Sequence, residues 1–441
     1  MLLSEIIDMT ERHRPRSPIV DTISPDLNIT IPEFGNLTVQ EAIDILKISA
    51  QAQTLEEIII SLSKDGHAGT TYDDLINNAT SLGFSPEEIQ QLKGFEAKVH
   101  VPFFINSLGT VVDKVAKVYF ATKYYNDRGR NGPTDKDLFF SYYRDSTPTA
   151  VALGAFSHLN KNIAYYIPRE VLRIALGMRG AFNTSMPEHF SLPELGIMPE
   201  TSAIGALSGE AIATAAGNSM FHSDSALIAR DSVVHLSLGE GGVNEGSLRI
   251  ALGSLETQLY LLARTHFNLS KQNIQELESN HEKRREHYRR LLKERQIGLA
   301  LHVYDNNLAI SCPSEIVHPW GSPIWLMNWL ESEGLVKRYQ YDGSNFLQIL
   351  QNTADMFATL REDGKAIVSR IKVPRPADHS ISNYTGLKSV RPDKKSDLRS
   401  VPDEEFRYHK NTDALLDAAQ EFIDREYITP NKLAEEYRNS Q

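Results

Sequence analysis

A glycine-rich turn with a carboxylate inside it is the first candidate for a chemical site. The stretch SLGEGGVNEGSL, residues 237–248, follows an apolar run and places Glu240 between Gly239 and Gly241. Such turns often cradle phosphate, but this one has no lysine for a Walker loop, and Asn244 replaces the third glycine of a dinucleotide fingerprint. A carboxylate here would repel a phosphate unless a divalent cation lay between them. The turn therefore predicts a magnesium site.

Asn306 is the candidate for a second magnesium ligand. It follows the β-rich run LALHVYD, residues 299–305. Magnesium prefers an octahedron of oxygens from carboxylates, amides, phosphates and water. If the strands before Glu240 and Asn306 are neighbours in a parallel sheet, both side chains lie at its carboxyl edge, although 66 positions (306 minus 240) separate them.

The elements that must position this site predict an α/β fold. From about residue 103, helical patterns alternate with the β-rich runs VVHLSL (233–238), LALHVYD (299–305) and IVSRIKV (367–373). This alternation predicts a mostly parallel sheet with helices on both faces. Residues 1–100 are predicted to form a helical extension with the short helices VQEAIDILKISAQA, LEEIIISL and SPEEIQQLKGF; Ser85 and Pro86 form the start of the last one.

The region between the turn and LALHVYD is long for a single crossover. Residues 248–267 are predicted as one helix, and a further helix forms an insert at about 267–298. Residues 281–295 carry seven basic and three acidic side chains, so nucleic-acid binding is one interpretation. A solvated helix with internal charge pairs is the favoured interpretation. The main domain is therefore expected over residues 101–395, followed by a loop and a C-terminal helix over 396–441.

Composition excludes several classes of protein. The 441 residues carry a net charge of -11, which gives no general attraction to nucleic acid or to an anionic membrane. The single cysteine, Cys312, excludes an internal disulfide and is expected to be buried and inert. The N-terminus lacks the apolar core of a secretory signal, and the apolar runs are too short and too charged to span a bilayer. A cytoplasmic protein is expected.

At the paired Glu240 and Asn306 the sequence becomes similar to a known family. GEGGVNEG followed by VYDNNLAISCP resembles the thiamine diphosphate motif of the alpha chains of 2-oxo acid dehydrogenases, of the pyruvate or branched-chain type. In the same order, DLFFSYYRDSTPTAVALG resembles the segment that contacts the diphosphate, and SMPEHF with GIMPETSAIG resembles the segment beside the aminopyrimidine. YDGSNF resembles an Asp-Gly turn of the family, and RPADHSISN resembles its Arg-x-x-x-His-Ser phosphate loop. The resemblance covers roughly residues 104 to 390.

This resemblance implies the thiamine diphosphate-binding fold and a set of functional residues. The implied magnesium ligands are Glu240, Asn306 and the main-chain carbonyl of Leu308. The implied cofactor-binding residues are Tyr143, Arg144, Ser202, Ile204, Gly239, Gly241, Gly242, Arg375 and His379. The implied catalytic residues are His189 and His379. Without the resemblance, the histidines would be interpreted as structural, Tyr143 as core packing, and Arg144 with Asp145 as a surface ion pair.

The implied function is that of the alpha subunit of a 2-oxo acid dehydrogenase, which decarboxylates a small 2-oxo acid and passes the acyl group to a lipoyl group, as on a lipoyl-bearing acyltransferase, or to another acceptor. The resemblance also implies a beta-type chain that completes the active site in an α2β2 heterotetramer, so the chain alone is expected to be inactive. Two alternatives remain: a carbon-carbon ligase that uses the same cofactor, and a catalytically weak scaffold or regulatory relative. Glu240 in place of the commoner Asp and Asn383 in place of Asp depart from the family pattern.

Overall fold

The computed structural model describes residues 28, 30–32, 35–62, 79–80, 84–95, 109–142, 144–157, 167, 170–171, 191–200, 205–221, 228–246, 248–249, 252–253, 270–295, 298–309, 312–314, 318, 324–375 and 412–439. Within these ranges the strands are β1 (Thr30–Ile31), β2 (Leu37–Thr38), β3 (Leu138–Phe140), β4 (Val234–Gly239), β5 (Leu299–Asp305), β6 (Leu308–Ala309), β7 (Cys312–Pro313), β8 (Lys337–Asp342) and β9 (Ile367–Lys372). The helices are α1 (Val39–Leu62), α2 (Pro86–Phe95), α3 (Val111–Asn126), α4 (Ser146–Phe156), α5 (Ser208–Phe221), α6 (Lys271–Ser279), α7 (His281–Arg295), α8 (Ile324–Ser332), α9 (Phe346–Arg361), α10 (Ala414–Asp424) and α11 (Pro430–Asn439).

A five-stranded parallel sheet is the centre of the fold. Its strand order is β3-β4-β5-β9-β8, and every neighbouring pair is parallel. The short strands β1 and β2 form one antiparallel pair, and β6 and β7 form another. All seven residues of β5 are buried, as expected for a strand with helices over both faces. The predicted α/β fold class is confirmed.

Alternate strand residues feed two separate hydrophobic cores, because successive side chains point to opposite faces of a sheet. On the first face, residues such as Phe139 and Ile371 pack with α1, α3, α4, α9 and α10. On the second face, residues such as Leu236 and Leu301 pack with α5 and α8. The sheet is therefore covered on both sides, and its polar groups are accessible mainly at the strand ends.

A row of buried polar side chains crosses the first face. Asp137 Oδ2 lies 3.2 Å from His235 Nε2, His235 Nδ1 lies 3.2 Å from His302 Nε2, and His302 Nδ1 lies 2.8 Å from Ser369 Oγ. Burial lowers the pKa of both histidines, although Asp137 acts in the opposite direction on His235. The two histidines are therefore neutral, and we interpret the row as a structural link between the strands.

Helix α1 differs from the prediction in two ways. The two short helices expected here form one 24-residue helix, which begins with a capping box: Thr38 N donates to Glu41 Oε2 (2.7 Å), and Glu41 N donates to Thr38 Oγ1 (3.1 Å). Its residues Ile43 and Leu46 belong to the same core as the first face of the sheet. The helix is therefore an integral part of the main core, and its apolar residues on more than one side explain why it is not a separate extension.

Local capping signals explain three further helix ends. At α2 the predicted start is confirmed, since Glu88 N donates to Ser85 Oγ at 3.2 Å. The prediction of a single helix within the insert is wrong, because α6 ends before Asn280. The Asn280 side-chain oxygen accepts hydrogen bonds from Glu282 N (3.0 Å) and Lys283 N, and these bonds cap the start of α7. At the C-terminal end, α11 was not predicted; Lys432 N donates to Thr429 Oγ1 (3.2 Å) at its first turn.

Replacing residues 270–297 with a Gly/Ser linker is expected to leave the fold intact. Helices α6 and α7 are largely exposed where their side chains are described, and Leu277 is the buried residue of α6. Among the described residues, Glu333 links them to the rest of the chain: it accepts from Arg285 Nε at 2.9 Å and lies 3.2 Å from His281 Nε2. Because surface loops cost little closure entropy, the melting temperature measured by circular dichroism should change little.

Size-exclusion chromatography separates the other outcomes of this replacement. Loss of an oligomer would give the two helices an assembly role. Loss of folding would contradict the prediction and show that they belong to the core.

Within the described ranges, no helix combines the length and the apolar character needed to cross a membrane.

Candidate functional site at the carboxyl edge of the sheet

Glu240 and Asn306 lie side by side at the carboxyl edge of the sheet. Strands β4 and β5 are neighbours, with Gly239 in register with Tyr304, so both chains leave the sheet at the same level. Asn306 N donates a long hydrogen bond of 3.5 Å to Glu240 Oε2, and both residues are buried. The tertiary structure thus brings an oxygen-rich pair together across 66 sequence positions (306 minus 240).

The sequence predicts a long helix after the glycine turn, but the turn itself is not the start of that helix. Residues Glu240–Asn244 form one turn of 3-10 helix, and Glu245 then returns to an extended conformation. Gly239 ends β4, where an added Cβ would lie 3.6 Å from the ring of Tyr142. The following helix predicted at 248–267 is described only at residues 248–249 and 252–253. The short turn keeps the Glu240 carboxylate at the strand end.

The turn after β5 is fixed by Asp305. Its carboxylate accepts from Arg370 Nε at 2.6 Å and from Asn307 N at 2.8 Å. Asn307 has a left-handed backbone (φ 59°), which asparagine tolerates better than most residues. Leu308 then begins β6 in register with Pro313. The Leu308 main chain, the predicted third magnesium ligand, therefore lies two residues beyond Asn306 in a defined turn.

Two buried arginines follow strands that end at the same edge of the sheet. Arg144 lies beyond β3 and Arg375 beyond β9; both are buried, the latter at 2% exposure. Thr110 Oγ1 donates to the Arg144 carbonyl oxygen at 2.9 Å. Gly109 is so close to Pro374 that an added Cβ would overlap its carbonyl oxygen. The start of α3 therefore packs against both arginine-bearing segments, and the Arg144 charge acts on the buried carboxylate of Glu240.

The electrostatics of this edge are unusual. Burial raises the pKa of Glu240 to about 8, and the nearby Asp305 adds to the rise, whereas Arg144 opposes it. A buried carboxylate beside a second one favours protonation or a bound cation. A carboxylate, an amide and a main-chain carbonyl are a donor set that suits magnesium, and buried arginines suit a phosphate group. The described residues of the site therefore fit a magnesium diphosphate.

The raised pKa of Glu240 predicts a pH-dependent stability without divalent cations. The pKa of this carboxyl group is about 8 in the folded chain and 4.5 in its ordinary state, so the folded chain holds the proton more tightly. The resulting contribution to the free energy of unfolding is complete below pH 4.5. That contribution is lost as pH rises towards 8, at up to about 1.4 kcal/mol per pH unit. In EDTA, the stability of Glu240→Gln relative to the unmodified chain should therefore rise from pH 5 to pH 8 in urea titrations. A constant difference would contradict the shift.

His318 is a site residue that the sequence analysis missed. It is 2% exposed, and its main-chain N–H donates to the Ser314 carbonyl oxygen at 2.9 Å. Burial lowers the pKa of its ring, although Asp305 and the main chain of Glu240 act in the opposite direction. The ring therefore lies near both carboxylate-bearing segments. A lone histidine 12 positions beyond Asn306 (318 minus 306) gave no signal in the sequence.

A buried charged cluster lies beneath the edge. Lys114 Nζ is 2.6 Å from Asp145 Oδ2 and donates to Ser237 Oγ at 2.8 Å, and both charged side chains are at most 1% exposed. The interpretation of Arg144 with Asp145 as a surface ion pair is therefore wrong, because both residues are buried and Asp145 pairs with Lys114.

Next to Lys114 on α3, Asp113 accepts from Tyr304 OH (2.8 Å) and Tyr341 OH (2.6 Å) and pairs with Lys117 one turn further along. Burial lowers the pKa of Lys117 to about 8, although Asp113 acts in the opposite direction. Charged residues on α3 thus contact strands β4, β5 and β8 close to their carboxyl ends. The sequence gave no sign of this cluster, since lysines are mostly surface residues.

Several predicted site residues lie outside the described ranges: Tyr143, His189, Ser202, Ile204 and His379. Their roles stay predictions, as do those of the described site residues. Cys312 lies in β7, and its predicted burial is not described. Among the described residues, no group of three or more histidine, cysteine, aspartate or glutamate side chains could hold a metal ion. The predicted set, with one carboxylate, one amide and one carbonyl, is of a different kind.

Comparisons with known proteins find one distant structural likeness and no match in sequence. No protein-family model matches the chain, and no curated protein matches it either. A transketolase variant from Pichia stipitis is similar in structure, with 13% sequence identity and a TM-score of 0.37 over 90% of this chain. The chain spans 47% of that transketolase chain. A likeness at this TM-score carries no argument about function. The fold and site define an α/β protein with a buried, charged carboxyl edge.

Proposed function

We propose that the chain binds thiamine diphosphate through magnesium and acts as the alpha-type subunit of an enzyme that decarboxylates 2-oxo acids. The observation that carries this proposal is that Glu240, Asn306 and Arg144 lie together at the carboxyl edge of the sheet, the edge at which β9 also ends before the buried Arg375. Buried carboxylate and guanidinium groups at one sheet edge suit a ligand that carries charges of both signs. A magnesium diphosphate is such a ligand, because the cation would offset the carboxylate and the phosphate oxygens would accept hydrogen bonds from the guanidinium groups.

The roles of the chain's own residues follow from their chemistry. The cation would be held by Glu240, Asn306 and the Leu308 carbonyl. The diphosphate would be oriented by Arg144 and Arg375, whose guanidinium groups donate hydrogen bonds and stay charged at all working pH values. When bound, thiamine diphosphate supplies the electron sink for decarboxylation. The protein therefore contributes binding, orientation and exclusion of water at this edge. A scaffold or regulator would have no use for such a buried ligand set.

A beta-type partner remains part of the proposal, because the family places the glutamate that protonates the aminopyrimidine on that chain. Among the described residues, Trp329 is the large hydrophobic side chain that is clearly exposed, at 38%. A partner chain and an acyl acceptor with a lipoyl group are supported here by the sequence resemblance alone, and a cytoplasmic location by the sequence composition alone.

Calorimetric titration tests the cofactor. Thiamine diphosphate should bind the chain in the presence of magnesium, and binding should be lost in EDTA. Thiamine without its diphosphate should bind much more weakly, because the proposed contacts are to the phosphates and the cation. Absence of any magnesium-dependent difference between thiamine diphosphate and thiamine would overturn the proposal.

Carbon dioxide release tests the reaction. The purified chain alone should release none from a panel of 2-oxo acids, and co-expression with a candidate beta-type chain should restore release from at least one of them. Release by the isolated chain, verified as pure, would refute the two-chain arrangement. Cofactor binding without release from any acid, even with a beta-type chain, would favour the carbon-carbon ligase instead.

A further inference from the structure

We propose that the imidazole of His318 is a further ligand of the cation at the carboxyl edge, and that it makes the site favour Mn²⁺ over Mg²⁺. This inference rests on the proposed function, because it takes the cation site of Glu240 and Asn306 as given. His318 does not belong to the predicted ligand set, and its nitrogen differs in chemistry from the oxygen donors of that set.

The ring of His318 is buried without the hydrogen bonds that a structural histidine makes. The residue is 2% exposed, and neither ring nitrogen makes a hydrogen bond of ordinary geometry to the described part of the chain. His235 and His302 in the sheet differ, because their ring nitrogens have partners at hydrogen-bond distance. A buried polar group without such a partner costs free energy. A cation at the edge would lower this cost by binding the lone pair of one nitrogen.

The hairpin after Asn306 brings His318 back to the edge. Strands β6 and β7 pair antiparallel, and Ser314 N then donates to the Asn307 carbonyl oxygen at 3.0 Å. Four residues later, the main-chain N–H of His318 donates to the Ser314 carbonyl oxygen at 2.9 Å. Two main-chain hydrogen bonds therefore connect the histidine to the turn that carries Asn306 and Leu308.

The groups around the ring are those that accompany a metal-binding histidine. Burial lowers the pKa of the ring, whereas Asp305 and the main chain of Glu240 raise it, so the ring lies close to both segments. Asp305 itself pairs with Arg370 at 2.6 Å. A histidine that binds a metal usually directs its second nitrogen at a main-chain carbonyl or a carboxylate. The main chain of Glu240 suits that role and leaves the other nitrogen for the cation.

An imidazole ligand changes which cation the site prefers. Magnesium takes oxygen donors almost alone, whereas divalent ions of the first transition series also bind nitrogen. The predicted ligands supply three oxygens, and His318 would add one nitrogen. The described ranges contain no cluster of three histidine, cysteine, aspartate or glutamate side chains that could hold a metal, and this donor set needs only two of them. The mixed set therefore favours Mn²⁺ over Mg²⁺.

Electron paramagnetic resonance of bound Mn²⁺ tests the ligand directly, in the full chain with and without thiamine diphosphate. In the unmodified chain, electron spin echo measurements should show the modulation of a directly bound imidazole nitrogen. His318→Gln, which offers an amide oxygen instead, should lose that modulation. The matched control is His281→Gln, because the His281 side chain is 54% exposed and pairs with Glu333; this variant should keep the modulation.

The affinities for the two cations, measured by calorimetry, give the second readout. His318→Gln should lower the ratio of Mn²⁺ affinity to Mg²⁺ affinity by at least about tenfold and keep the Mg²⁺ affinity within about threefold. The ratio should not change in His281→Gln. Circular dichroism checks the folding of each variant, and His318→Asn takes the place of His318→Gln if the latter does not fold.

Absence of nitrogen modulation in the unmodified chain with Mn²⁺ bound would overturn the inference. So would modulation that persists in folded His318→Gln, or an unchanged affinity ratio in that variant. A chain that binds neither cation, with or without thiamine diphosphate, would overturn the proposed function and the inference together. Mn²⁺ that binds with the nitrogen modulation while thiamine diphosphate does not bind would support the inference and overturn the proposed function, so the two failures are distinguishable.

Discussion

Replacing Arg361 with methionine is expected to lower the free energy of unfolding by about 3–5 kcal/mol, the usual cost of removing one partner from a buried ion pair. Arg361 Nη2 contacts both carboxylate oxygens of Asp137, at 2.6 and 2.7 Å. The Asp137 side chain is fully buried and also accepts from Tyr125 OH at 2.9 Å. Burial alone would raise the pKa of Asp137, but Arg361, with His235, holds it below its ordinary value. Methionine keeps the length of the stem and removes the charge.

Urea denaturation followed by circular dichroism measures this loss. The matched control is Arg425→Met, which breaks an exposed pair with Glu421 on α10 at 3.2 Å and should cost less than about 1 kcal/mol. A double variant, Arg361→Met with Asp137→Asn, should recover part of the loss because no buried carboxylate is left without its cation. Similar losses for Arg361→Met and the control would show that the buried pair is not a main source of stability.

Replacing Glu240 with alanine is expected to weaken thiamine diphosphate binding at saturating magnesium by at least about tenfold, or 1.4 kcal/mol. The Glu240 carboxylate is buried, and its Oε2 lies 3.5 Å from Asn306 N. Because this position is closed to the surface, a side chain exposed to water cannot replace the carboxylate there. Losing it removes the charged ligand of the proposed cation and leaves Asn306 and the Leu308 carbonyl as the protein's remaining oxygen donors. The two arginines would then hold a diphosphate without its bridging cation.

Glu245→Ala is the matched control for this prediction. Glu245 lies in the same turn, five residues further on, but its side chain is exposed. Its loss should leave the affinity within about twofold, since an exposed charge is screened by salt and water. Calorimetric titration of both variants decides the matter. Equal affinities for Glu240→Ala and Glu245→Ala would rule out Glu240 as a ligand of the cation.

The sequence was most informative where structure depends on near neighbours in the chain. The runs VVHLSL, LALHVYD and IVSRIKV predicted β4, β5 and β9 to within one residue at each end. The pair Ser85 and Pro86 located the start of α2, because a cap is a contact across three residues. The break at Asn280 was missed, since the basic run after it continues the helical composition without a glycine or proline.

Distant pairing was decided by the tertiary structure. Sequence analysis could state that Glu240 and Asn306 meet only if their strands are neighbours, and the strand order supplies that condition. It could not place β9 between β5 and β8, because parallel strands of similar apolar composition fit several orders. The position of Arg375 at the same edge as Glu240 depends on that order. His318 lies near the same edge, although the sequence around it contains no recognisable motif.

By itself, the sequence determined the α/β class, the three central strands and the oxygen-rich turns that end two of them. These features follow from periodicity and from residue types within a few positions. Only the tertiary structure decided that Lys114 pairs with Asp145, 31 positions away (145 minus 114), and that both are buried. Sequence patterns that span a few residues predict that a charged side chain is exposed. Its burial becomes favourable only when the folded chain brings the opposite charge within about 3 Å.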